Sequence, residues 1–210
     1  MSAGQPGWNR AYASELEING APATVEVVAC DLDLASAVAT MRPAYEAIGG
    51  RVWAWKAEAL AWGVAIFDDR IVRFLAIAGR HPLETIVFRL DQTRDGFAAS
   101  MRPPSEHRLR QVPALTGSRP VSCVTDPEAG FAIETSEGGA SPDEAFRFLR
   151  GALEDEGWVS ALPTGSAAGP GSALIYARGR DVCIVRVHRR ASDGETVVTR
   201  VLKRPAGGGL

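Results

Sequence analysis

Apolar and polar positions alternate along this chain in short runs, and the same succession of runs comes twice. The first pass opens with Leu16 and Ile18, then Asn19-Gly20, then Val25 and Val27. Alternation with period two places each set on one strand face. Asn-Gly between two such runs signals a hairpin, because both residues tolerate positive φ. Ala21-Pro22 extends the expected connection beyond two residues.

From Leu34 the period changes. Leu34, Val38, Met41, Tyr45 and Ile48 recur at spacings of four, three, four and three, one stripe of an amphipathic helix. Asp31 or Asp33 caps its start and Gly49-Gly50 ends it. Pro43 falls inside the stripe and predicts a bend or a weak turn. Strands follow at 51–55, 61–67, 71–77 and 85–90, separated by turns at Asp68-Asp69-Arg70 and His81-Pro82.

The second pass repeats the order. Cys123 lies in its first strand and Asp126-Pro127 in the hairpin turn. Ser141-Pro142-Asp143-Glu144 reads as a capping box with proline at the first helical position. Ala145, Phe148, Leu149, Ala152 and Leu153 form the stripe, and Gly157 closes it. Strands are expected at 158–162, 173–176, 182–188 and 196–202. Residues match as well as patterns. Glu84-Thr85-Ile86-Val87-Phe88-Arg89-Leu90 returns as Glu195-Thr196-Val197-Val198-Thr199-Arg200-Val201, and Val25-Glu26 returns as Ile133-Glu134. The offset grows from 108 to 111 residues, as it does when insertions collect in loops.

These patterns predict an α+β fold made by tandem duplication of a hairpin–helix–antiparallel meander module. Each copy is expected to be a curved antiparallel sheet with one helix packed on it, since each element then buries its apolar side. The first ββαββββ module spans 8–97, a linker 98–117, the second module 118–204 and a flexible tail 205–210. Proline and charge in 98–117 read as an extended linker. In 71–77 both strand faces are apolar: Val72, Phe74 and Ala76 on one, Ile71, Leu75 and Ile77 on the other. A strand that faces water on one side alternates with polar residues. The face away from the helix is therefore expected to be covered by the other module or by a second subunit.

Composition narrows the function. The net charge is −2, from 23 basic and 25 acidic residues, which provides no global attraction to nucleic acid or an anionic membrane. No apolar run reaches the roughly 20 residues that cross a bilayer, so no direct membrane insertion is expected. Met1-Ser2-Ala3-Gly4-Gln5-Pro6-Gly7 has neither the basic residues nor the apolar stretch expected of a signal peptide. Cys30, Cys123 and Cys183 show no metal spacing and read as buried thiols, although Cys123 and Cys183 would suit a disulfide. His81, His107 and His188 are scattered, without a second ligand at metal-binding spacing. The glycine-rich 165–171 lacks the lysine of a P-loop and reads as a loop. No catalytic constellation and no cofactor or metal site is expected.

Two features point to binding. Trp53 and Trp55 share one strand face and Trp62 begins the next strand; tryptophan suits interfaces because it offers a large apolar area and one donor. Packing beneath the helix is the competing reading. Arg89 and Arg200 occupy equivalent positions in a region crowded with arginines. A hairpin carrying Asn19-Gly20-Ala21-Pro22, then a helix ending at Gly-Gly or Gly-Trp, then a meander resembles small exported bacterial proteins. That resemblance implies a periplasmic protein whose signal has been removed; a cytoplasmic one is the alternative. The expected function is non-enzymatic: binding or assembly in the bacterial cell envelope through a protein partner or self-association. Its candidate contacts are Trp53, Trp55, Trp62, Arg89 and Arg200. A small-ligand pocket or an unrecognised enzyme, with its site between the modules, is the rival expectation.

Overall fold

The computed structural model describes residues 7–79, 85–161 and 173–205. The expected turn at His81-Pro82, the glycine-rich loop 165–171 and the tail beyond Pro205 lie outside them. The fold is α+β, with antiparallel strands and, among the described residues, three helices. Contacts divide the chain into two compact units: Met1–Leu16 with Ala21–Ala99, and Glu17–Gly20 with Ser100–Leu210.

The first unit runs β1 (Trp8–Ile18), β2 (Ala21–Cys30), α1 (Leu34–Glu46), β3 (Arg51–Lys56), β4 (Leu60–Ile66), β5 (Arg70–Ala78), β6 (Thr85–Thr93) and α2 (Arg94–Ser100). Its sheet order is β3-β4-β5-β6-β2-β1. The turn between β1 and β2 is two residues, shorter than expected. Asn19 and Gly20 both take positive φ (53° and 87°), the geometry that closes a tight hairpin. Pro22, which has no N–H to give a ladder, stays out of the β2–β6 pairing, which begins at Thr24.

Helix α1 is capped by Asp33, whose carboxylate accepts from the Ser36 N–H at 2.9 Å. Leu34, Ala37, Met41 and Tyr45 face the sheet. Ile48 does not, because the helix stops at Glu46 and the turn after it carries Ile48 into water. Pro43 is accommodated inside the helix, and the Ala47 N–H donates to its carbonyl at 2.9 Å. The helix packs on β3, β4 and β5, over Val72, Phe74 and Ala76 of β5 and the small residues Ala61, Gly63 and Ala65 of β4. A Cβ at Gly63 would fall 2.4 Å from both the Phe74 ring and the Trp53 carbonyl, so only glycine lets that ring lie against β4.

The second unit runs β7 (Arg119–Asp126), β8 (Phe131–Gly138), α3 (Pro142–Asp155), β9 (Val159–Ser160), β10 (Ala173–Arg178), β11 (Asp181–Arg189) and β12 (Thr196–Lys203). Its sheet order is β9-β10-β11-β12-β8-β7. Glu17 and Ile18 pair with Thr125 and Val124 of β7. The capping box of α3 is complete: Ser141 accepts from the Glu144 N–H, and Glu144 accepts from the Ser141 N–H at 2.9 Å. The buried phenylalanine of α3 is Phe146, whereas Phe148 is exposed. On a 3.6-residue period, Phe146 lies about 60° from Leu149, just beside Leu153, and Phe148 about 100° from Leu149 on the other flank.

Residues 98–117 differ most from expectation. They are not a free linker. Helix α2 occupies their start, and Leu109, Val112 and Leu115 are buried in the same core as Leu149, Leu153, Val185 and Leu202. The segment is a strap across the second unit's sheet.

Candidate functional site

The three tryptophans lie on strands of the first unit, on the face turned away from α1. Register fixes this. Val52, Ala65 and Val72 are successive partners beneath the helix, so residues one position away point to the other side. Trp55 pairs with Trp62, Trp62 with Leu75, Leu75 with Phe88, and Phe88 with Val27. One apolar row therefore crosses β3, β4, β5, β6 and β2. Trp53, Trp55 and Trp62 are 44%, 52% and 42% exposed. They do not pack beneath the helix. Leu75, Ile77 and Phe88 are also exposed. Helix α2 covers one end of this face, where Phe97 lies against Arg73 and Gln92 is buried, but among the described residues nothing covers the tryptophan row.

The two arginines lie in different settings. Arg89 of β6 pairs across strands with Glu26 of β2 and binds it at 3.1 Å, while its other terminal nitrogen reaches Asp91 at 3.0 Å. Arg10 joins from β1, 2.5 Å from Glu26. The group is half-buried around a hollow of about 110 Å³ lined by Thr24, Glu26, Arg89 and Asp91. Arg200 of β12 pairs in register with Glu134 of β8 in the same way, yet both side chains are buried, 1% and 0% exposed. Arg200 thus offers no surface to a partner. It is the counter-ion of a core carboxylate.

The strap makes that buried pair possible. Glu134 accepts from the Arg108 N–H at 2.6 Å and the Leu109 N–H at 3.1 Å, and lies 2.6 Å from His107 Nδ1. Arg200 donates to the carbonyls of Leu109 and Val112 as well as to Glu134. Two successive backbone N–H groups, two carbonyls and an imidazole surround one ion pair, which is what a buried charge requires. In the sequence Glu134 stands out only as a repeat of Glu26, and His107 falls in the expected linker. The signal for the strap is Leu109, Val112 and Leu115, apolar at every third position.

Burial pushes the Glu134 carboxyl up, but Arg200, His107 and the two backbone donors outweigh it and hold the group below its ordinary value of 4.5. A carboxylate depressed in the folded state contributes stability in full above its unfolded value, and loses it as pH falls through the folded one. The stability difference between wild type and Glu134→Gln is therefore expected to be constant above about pH 5 and to shrink below about 4.5. Urea titrations at stepped pH measure it, and a difference that grows on acidification contradicts the assignment.

Cys30, Cys123 and Cys183 are buried, and Cys123 and Cys183 are not bonded to each other. Burial pushes the Cys123 thiol up to about 11 and the Cys183 thiol to about 12, the reverse of an activated nucleophile. Among the described residues no group of three His, Cys, Asp or Glu is placed to hold a metal ion. An open hollow of about 420 Å³ in the second unit is lined by Glu17, Ser105, Glu106, His107, Arg108 and Arg110. Its polar groups already serve one another: Arg110 pairs with Glu106 at 3.2 Å and Arg108 with Glu17 at 4.0 Å, and His107 Nδ1 lies 2.6 Å from Glu134. Among the described residues no helix is long and apolar enough to cross a membrane.

No known family model matches this chain, and no curated protein matches it. A solved chain from "The crystal structure of Tle4-Tli4 complex" aligns with 97% of this chain and 83% of its own length, at 10% identity and a TM-score of 0.24. A likeness that slight carries no argument about this protein.

Proposed function

We propose that this chain works by contact: a non-enzymatic binding or assembly protein of the bacterial cell envelope that engages protein through the tryptophan face of its first unit. The observation that carries the reading is the exposure of Trp53, Trp55 and Trp62, 44%, 52% and 42%, on a part of the strand face that the described residues leave uncovered. Indole groups held on strands offer large, rigid contact area at little entropic cost. The reading includes descent from a doubled module. Two things support the doubling: the same strand order in each unit, and the same Glu–Arg cross-strand pair in register, Glu26 with Arg89 and Glu134 with Arg200. The envelope compartment rests on the resemblance to small exported bacterial proteins.

The double variant Trp53→Ala and Trp55→Ala tests the contact. It is expected to keep its far-UV circular dichroism and its melting temperature while it loses capture of partner protein. Capture unchanged, or a chain that no longer folds, defeats the reading: the first makes the face idle and the second makes the tryptophans core. Cell fractionation checks the compartment, and recovery with cytoplasmic markers overturns that part.

A further inference from the structure

We propose that a second copy of this chain covers the tryptophan face, two first-unit sheets meeting face to face about a two-fold axis. This rests on the reading of that face as a contact surface, and three observations select the occupant.

The first is area. The row Trp55–Trp62–Leu75–Phe88–Val27 spans five strands, roughly 19 Å at ~4.8 Å per strand. A second row, Leu60–Ile77–Ile86–Ala29, runs beside it. The exposed tryptophans with Leu60, Leu75, Ile77 and Phe88 leave on the order of 600 Å² of apolar side chain in water. That is already at the upper end for a monomer's largest patch, about 300–600 Å². Half-buried Val64, Ile86 and Leu90 bring the face near the ~800 Å² that each partner of a standard interface buries.

The second is charge. From β2 to β6 this face carries Arg51 and Arg73 and no carboxylate. Arg73 is already engaged: it donates to Gln92 at 2.6 Å and lies over the Phe97 ring of α2 at 5.2 Å. Arg51 stands at the start of the edge strand, outside the two apolar rows. No ionic pattern here selects a charged partner, so burial and shape decide. The chain's net charge of −2 sets little repulsion between copies.

The third is shape. Apolar faces of two sheets are complementary to each other, packing about 10 Å apart with strands nearly aligned. A patch that meets its own copy closes on itself as a two-fold dimer.

Sedimentation equilibrium of the purified full chain across the micromolar range tests this. Wild type is expected at twice 22.3 kDa. Trp62→Asp and, separately, Phe88→Asp are expected at the monomer mass with circular dichroism unchanged. A buried carboxylate at a hot spot weakens association by a factor on the order of 100 or more. A monomeric wild type overturns the proposal. So does a dimer that survives both substitutions, since it is then built elsewhere. A photo-crosslinking residue at position 62, in cells that make the protein, separates this failure from failure of the contact reading itself. An adduct with a second copy supports the proposal. An adduct with a different polypeptide overturns self-pairing and leaves the contact reading standing, and no adduct defeats both.

Discussion

Replacing Glu134 by alanine is expected to destabilise the second unit by about 3–5 kcal/mol. The substitution leaves the Arg200 guanidinium buried without its anion, and it strands the Arg108 and Leu109 N–H groups that the carboxylate accepts from. The penalty is mostly that of uncompensated polarity, so replacing both partners should cost far less than replacing one. Glu134→Leu with Arg200→Met fills the space with apolar atoms and is expected to recover much of the loss, because buried ion pairs break roughly even against packed hydrophobic substitutes. Urea denaturation of the two single variants and the double gives the coupling directly. If the double variant loses the sum of the singles, the pair acts independently and the account of the strap is wrong. The matching Glu26→Ala in the first unit is expected to cost less than Glu134→Ala, since Glu26 is 22% exposed and water can replace what it offers Arg89.

Tyr45→Ala should cost the first unit about 3–5 kcal/mol. The ring is 1% exposed, meets Phe67 edge-on at 6.1 Å between centroids and lies nearly parallel to Phe74 at 6.3 Å. Removing it opens a hole beneath α1 that the small residues of β4 have no volume to fill. The hydroxyl is a different matter. It is buried without a hydrogen-bond partner among the described residues, and burial raises its pKa. Tyr45→Phe removes that unsatisfied group and keeps the ring, so it is expected to be neutral or stabilising by up to about 1 kcal/mol. Thermal melts of the pair separate ring from hydroxyl. A Tyr45→Phe variant as damaged as Tyr45→Ala would show that the hydroxyl holds a bond this geometry does not display.

The local grammar of the chain was legible where chemistry is local. Asn19-Gly20 announced a hairpin, Ser141-Pro142-Asp143-Glu144 a capped helix, and the alternation in 71–77 the two faces of β5. Errors arose where tertiary context decides. Periodicity places Phe148 and Ile48 in buried stripes, yet one lies on the flank of α3 that faces water and the other past the end of α1. Composition made 98–117 look like a linker, because prolines and arginines dominate it. Leu109, Val112 and Leu115, which bury it, recur at every third position, but with prolines and charges around them that spacing spans too few residues to outweigh the composition. For the candidate site, parity put Trp53 and Trp55 on one side of a strand, but only register with β4 and β5 tells which side the helix takes. Arg89 and Arg200 looked alike in sequence. What separates them is a segment packed over one and not the other, which no property of either residue reveals.

The membership of Glu17–Gly20 has a practical consequence. Asn19 donates to the Ser100 carbonyl at 2.6 Å and accepts from the Cys123 N–H at 2.7 Å, so this four-residue corner belongs with segments a hundred positions downstream. No single cut through the polypeptide yields two intact halves. A fragment starting near Ser118 forfeits the strap over Glu134, and one starting at Ser100 forfeits the Asn19 corner. Expression of halves cut at Ser100 should therefore give an intact first body, whose segments all lie before that cut, and a weakened second one, which regains its corner only when the fragment reaches back to Glu17.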